Sequence, residues 1–158
     1  MAAKPQVDRA GARIRAFGAA DAAAAREILR GSPEAAQWTE LGFKELLGWP
    51  GVLALVSEKE GKITGFFVAR QVGEEAEILN LAVHLLKRRI GEGQRLLKAA
   101  MEEFRVRGIT RVFLEVRDSN VSGIAFYTKH GFARKGRRAG YYRHPDEAAV
   151  LMERKLEH

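Results

Sequence analysis

The chain has 158 residues, 46% hydrophobic and 30% charged, the balance of one globular domain with a sizeable core. Its net charge of +7 fits an acidic partner, such as a phosphate-rich cofactor, nucleic acid or a nucleoprotein surface, without choosing among them. The absence of cysteine excludes disulfides and thiolate metal sites and fits a cytoplasmic location; the four histidines are scattered, so no metal is expected.

No apolar run reaches membrane-spanning length, and the stretch from Met1 to Ala12 lacks the apolar core of a secretory signal. Ala12–Phe17 alternates and predicts a first strand. Asp21 is placed to cap an Ala-rich helix that runs to Arg30 and stops at Gly31. Ser32-Pro33-Glu34 is a helix-start signal, and Thr39–Leu47 predicts another short helix closed by Gly48. Val52–Ser57, Lys62–Gln71 and Glu75–Val83 then read as a three-stranded meander with turns at Glu58–Gly61 and Gly73-Glu74.

Gly91–Arg107 carries Leu97, Ala100, Met101 and Phe104 at helical spacing, with Gly108 as the stop. Arg111–Arg117 predicts a strand with Val112, Leu114 and Val116 on one face and Glu115 on the other. Ser122–Lys129 predicts a short helix, Phe132 onward a strand, and Ala148–Lys155 a last strand. Leu156-Glu157-His158 reads as the stub of an expression tag, which leaves 1–155 as a single domain. The expected class is α/β, with a mixed sheet, an early meander and a later βαβ unit.

Arg88-Arg89-Ile90-Gly91-Glu92-Gly93 is a basic, glycine-rich turn between a strand and an amphipathic helix. Glycine lets backbone N–H groups approach an anion, and a helix start adds its positive dipole end. This chemistry suits pyrophosphate; the plain alternative is a glycine-rich helix start with solvated arginines. Glu92 is out of place there, because its carboxylate repels phosphate unless it points outward.

The turn resembles the R/Q-x-x-G-x-G/A motif of the GNAT superfamily of N-acetyltransferases, with Arg88, Gly91 and Gly93 at the motif positions. Leu85 departs from the proline common just after the preceding strand. Leu114-Glu115-Val116-Arg117-Asp118-Ser119-Asn120, then Ala125-Phe126-Tyr127 and Gly131-Phe132, resemble the bacterial ribosomal-protein-alanine N-acetyltransferases (RimI type). So do Arg138-Ala139-Gly140-Tyr141-Tyr142 and the acidic pair Asp146-Glu147 before Ala148. The resemblance covers roughly 52–155.

It implies a GNAT-like single domain, with a mixed, mostly antiparallel central sheet flanked by helices. Acetyl-CoA is the implied co-substrate, held by Leu81, Ala82 and Val83 along the strand, by Arg88, Arg89, Ile90, Gly91, Glu92, Gly93 and Gln94 at the turn, and by Asn120. Glu115 is the implied general base and Tyr127 the general acid. Each has a plainer role open to it: Glu115 in a pair with Arg117 or Arg111, Tyr127 in packing, Asn120 as a helix cap. Trp38, Tyr141 and Tyr142 are candidate walls for the acceptor, and Glu77 is an alternative base. The implied acceptor is a protein N-terminus, in particular that of an alanine-starting small-subunit ribosomal protein. An α-amine, with a reference pKa of about 7.7–8.0, is easier to deprotonate than lysine. Two other readings stay open: an acetyltransferase for small amines or Lys side chains, and a non-catalytic acyl-CoA or nucleic-acid binding module. Direct nucleic-acid binding is not expected, since the arginines are spread over several segments without an aromatic RNA-binding signature.

Overall fold

The computed structural model of the protein describes residues 6–7, 12–85, 90–142 and 147–157. The strands are β1 (Gln6–Val7), β2 (Arg13–Ala16), β3 (Val52–Lys59), β4 (Lys62–Val72), β5 (Glu75–Val83), β6 (Arg111–Arg117), β7 (Ala133–Tyr142) and β8 (Glu147–Lys155). The helices are α1 (Ala22–Arg30), α2 (Glu40–Leu47), α3 (Glu92–Val106) and α4 (Val121–Lys129). The strands form one sheet in the order β1-β2-β3-β4-β5-β6-β8-β7. Every pairing is antiparallel except β5 with β6, which α3 links as a crossover.

Each face of the sheet is covered by its own apolar cluster. On one face α3 brings Leu96, Leu97, Ala100 and Phe104, and α4 brings Ile124 and Tyr127, onto Ile78, Val112, Leu114 and Val116. On the other face α1 and α2 bury Ile28, Leu29 and Phe43 against Val56, Phe66 and Val68. Phe43 is the hub there: its ring stacks on Phe17 at 5.5 Å and meets Phe66 and Trp38 edge-on at 5.2 Å each.

Several expectations change. Ser32-Pro33-Glu34 opens no helix: Ser32 is buried, and its hydroxyl donates to the Ile28 carbonyl at 3.2 Å, closing α1. Asp21 makes no side-chain cap to α1. Its carboxylate instead accepts from the Gly18 N–H at 2.8 Å and from both terminal nitrogens of the Arg15 guanidinium at 2.8 and 2.9 Å. Leu156, set aside as tag-derived, is buried in the α3 cluster, and its N–H donates to the Thr110 carbonyl at 2.8 Å, so the packed fold includes it. The expected helix Thr39–Leu47 forms as α2, with Thr39 as its cap, accepting from the Gly42 N–H at 3.0 Å.

Two irregularities shape the middle of the sheet. β5 is antiparallel to β4, and the register jumps from Val68↔Asn80 to Ala69↔Ile78, which leaves Leu79 as an extra residue. The bulge shifts the side-chain alternation by one. Ala76 and Ile78 pack under α3 before it, and Leu81 and Val83 do so after it. The second irregularity is in β4 against β3. There Ser57↔Gly65 is followed by Glu58↔Ile63, which leaves Thr64 unpaired.

Candidate active site

β5 and β6 pair only from Glu75↔Arg111 to Ile78↔Leu114. Beyond that point, at the bulge, the two parallel strands are no longer in register with each other. A gap between the carboxyl ends of parallel strands is where open α/β sheets bind ligands, because backbone groups there are left without strand partners. Leu81, Ala82 and Val83 form the β5 side of this gap; their other edge is paired to β4 at Phe67, Phe66 and Gly65.

α3 starts beside the gap. Gly91 precedes it with φ +85°, a conformation that costs a side-chain-bearing residue about 1 kcal/mol or more. Glycine offers no side chain to cap the helix, so the N–H groups of Glu92, Gly93 and Gln94 have no acceptor within α3. Ile90 is exposed at this end. Arg88 and Arg89 lie outside the described residues. Gly93 faces α4: a Cβ built there lies 3.5 Å from Phe126 Cε1 and 3.7 Å from Val83 Cγ2. The start of α3, the end of β5 and α4 thus meet at one place. A helix start whose first N–H groups find no acceptor within α3, beside a parting of strands, fits a pyrophosphate and its attached arm.

Glu92 does not point outward, as phosphate binding seemed to require. It points into the sheet, where it is 3% exposed. Its Oε1 accepts from Ser57 Oγ at 2.6 Å and from Thr64 Oγ1, while Oε2 is buried without a protein donor. As a phosphate ligand Glu92 retains only its N–H. Gln94 is exposed on the same turn.

Glu115 lies on β6, on the α1/α2 face of the sheet. It pairs with neither arginine foreseen for it. Arg111 is taken by Glu75 and, at 3.1 Å, by Glu153; Arg117 lies 3.3 Å from Glu147. Glu115 Oε1 instead faces Arg138 Nη2 at 3.4 Å, and its Oε2 is buried with no donor. Glu77 stands on the same face of neighbouring β5. Burial first, then the Glu115 charge, raises its pKa, and Arg138 opposes the rise. Glu77, the alternative base, is thus partly buried beside Glu115.

Tyr141 and Tyr142 close over this acidic spot from the end of β7. Their rings meet edge-on at 5.1 Å; Arg138 lies over Tyr141 at 5.3 Å and Arg117 over Tyr142 at 4.4 Å. Burial, then the Glu115 charge, pushes Tyr142 up to about 12 and raises Tyr141 as well. Trp38 is half-buried on this same face, against Phe43. Its loop is tied to β5 by Asn80 Nδ2, which donates to the Ala36 carbonyl at 2.9 Å.

Tyr127 lies on the opposite face. Burial raises its pKa above that of an ordinary tyrosine, which favours the protonated phenol. Its ring sits 5.2 Å from Phe126 and 5.4 Å from Phe132. Asn120 Oδ1 caps α4, accepting from the Gly123 N–H at 2.9 Å.

The fold and this gap define an acyl-CoA-dependent transferase. The chain belongs to the acetyltransferase (GNAT) family, whose model matches residues 22–132, and it is an acetyl-CoA-dependent N-acetyltransferase. It is 34% identical over 117 residues to the ribosomal protein bS18-alanine N-acetyltransferase of Escherichia coli (strain K12), spanning 73% of this chain and 78% of that one. The crystal structure of the Escherichia coli ribosomal-protein-S18-alanine N-acetyltransferase superposes with a TM-score of 0.82 at 30% identity, over 93% of this chain and 95% of that one. Ard1 from Thermoplasma volcanium superposes with a TM-score of 0.85, also at 30% identity, over 93% of this chain and 99% of that one.

Sequence reasoning missed four contributors: Ser57, Thr64, Asn80 and Arg138 as the partner of Glu115. The first three carried a signal, a polar side chain inside an otherwise apolar strand. Arg138 carried none, because it reaches Glu115 only once β8 lies between β6 and β7.

Proposed function

We propose that this enzyme acetylates the α-amine of a protein N-terminus, and that its acceptor is a small-subunit ribosomal protein of the bS18 kind beginning with alanine. One observation carries the chemistry. Glu115, a carboxylate with one buried oxygen that lacks a donor, and Tyr127, a phenol whose pKa burial raises, lie on opposite faces of the sheet in which β5 and β6 part. The similarity to the bS18-alanine enzymes supports the choice of acceptor.

In this reading acetyl-CoA, bound across the gap, supplies the acetyl group as a thioester. Leu81, Ala82 and Val83 hold its arm, and the N–H groups at the start of α3 hold its pyrophosphate, with Ile90 and Gly91 shaping the turn. Glu115 accepts the proton of the incoming ammonium, directly or through water, and leaves a neutral amine to attack the acyl carbon. The tetrahedral adduct collapses as its nitrogen loses a second proton to solvent and Tyr127 donates its own proton to the departing sulfur. Tyr141, Tyr142 and Trp38 border the acceptor side.

The test is thiol release from acetyl-CoA against a peptide panel: free Ala-, Ser- and Met-starting peptides, an N-terminally blocked peptide containing Lys, and polyamines. Turnover restricted to the free Ala N-terminus is expected. Turnover on the blocked peptide or the polyamines overturns the acceptor and leaves the acetyl transfer in place.

A further inference from the structure

We propose that Ser57 and Thr64 are positioning residues for acetyl-CoA, which they serve by holding the Glu92 carboxylate away from the start of α3. The inference rests on the reading of that helix start as the pyrophosphate site.

A carboxylate in the first turn of a helix is drawn to the free N–H groups and the positive dipole end. Those are the groups a phosphate needs, so an unrestrained Glu92 competes with the co-substrate for them. The protein turns it the other way. Ser57 Oγ from β3, at 2.6 Å, and Thr64 Oγ1 from β4 both reach Oε1, and all three residues are buried. The grip depends on an irregularity in the sheet. Thr64 is the extra residue where the β3–β4 register jumps, and such a bulge re-aims a side chain. Oε2 remains buried with no donor, so the pocket is a poor home for the carboxylate on stability grounds alone. Keeping the helix start clear accounts for what stability does not.

The experiment compares the wild type with Ser57→Ala/Thr64→Val and with the same pair carrying Glu92→Gln. Acetyl-CoA affinity is measured by calorimetry, turnover is measured with S-acetylpantetheine, which lacks the pyrophosphate, and Tm is recorded for each protein. Freed of its hydroxyls, the Glu92 charge is expected to weaken acetyl-CoA binding several-fold to about tenfold. Turnover of S-acetylpantetheine stays unchanged, and Glu92→Gln restores the affinity by removing the charge. Unchanged affinity in the double variant overturns the proposal. So does a loss that Glu92→Gln fails to restore, which makes the contact a structural anchor only. If the double variant does not fold, Ser57→Ala alone is read by the same criteria. A wild type that binds acetyl-CoA no better than S-acetylpantetheine brings down the pyrophosphate reading itself.

Discussion

In the proposed mechanism Glu115 and Tyr127 divide the proton traffic of the reaction, and each can be probed alone. Replacing Glu115 with Gln keeps the shape of the side chain and removes the base. Turnover is expected to fall about 10²–10⁴-fold, with acetyl-CoA affinity nearly unchanged because Glu115 lies on the acceptor face. Steady-state kinetics beside a binding isotherm separate the two quantities, and unchanged turnover removes Glu115 from the role. Tyr127 sets a different expectation. Its pKa is raised by burial, so the hydroxyl is still protonated where an ordinary tyrosine, with a pKa of about 10, has lost its proton. The rate should therefore rise as the acceptor amine deprotonates and then stay level through about pH 10. A falling limb centred near that value would assign the proton to a solvent-exposed phenol instead. Motif spacing made both residues visible in the sequence. Their surroundings were not visible: the arginine facing Glu115 comes from β7, far along the chain, and two nearer arginines are already engaged.

At the scale of elements, two polar side chains tie segments of the α1/α2 face to the sheet. Asn80 is buried, and its amide holds the Trp38 loop through the Ala36 carbonyl. Asn80→Ala leaves that carbonyl without its donor, which costs about 1–3 kcal/mol if it stays dry. The KM for the acceptor peptide should rise more than that for acetyl-CoA, since the Trp38 loop lies on the side proposed for the acceptor; equal effects on both would show that the loop does not shape acceptor binding. Arg15 is the second anchor. It joins β2 to Asp21 at 2.8 Å and to Glu58 on β3 at 2.6 Å. The Asp21 pKa is lowered chiefly by its hydrogen bond to Arg15. A depressed carboxylate contributes stability that is fully present above its unfolded pKa, about 3.9, and is lost as pH falls through the folded value. Acid unfolding of Asp21→Asn should show a shallower loss in that window than wild type. Identical acid profiles would mean the pair contributes nothing. α3 and β6 were legible because periodicity and a glycine stop agree there. Ser32-Pro33-Glu34 misled because a hydroxyl can close one helix as readily as open the next.

Across the whole molecule, one sheet carries two separate cores, and the proposed reaction lies between them. In that proposal the α3 core supports the co-substrate side and the α1/α2 core the acceptor side. Phe43→Ala empties the aromatic hub of the second and should cost about 3–5 kcal/mol, read as a lowered denaturation midpoint. The hydrophobic pattern announced the mixed sheet, the meander and the crossover. It could not announce that β8 enters between β6 and β7, or that a bulge at Leu79 shifts the alternation of β5, because strand order and register are set by long-range pairing. The central claim is that the acetyl group goes to an α-amine activated at Glu115. The most direct test gives the enzyme acetyl-CoA and one peptide bearing both a free alanine N-terminus and an internal lysine, then locates the acetyl group by fragmentation mass spectrometry. The account predicts acetyl on the α-nitrogen with wild type and almost none with Glu115→Gln. Acetyl on the lysine, or undiminished product from the variant, would contradict it.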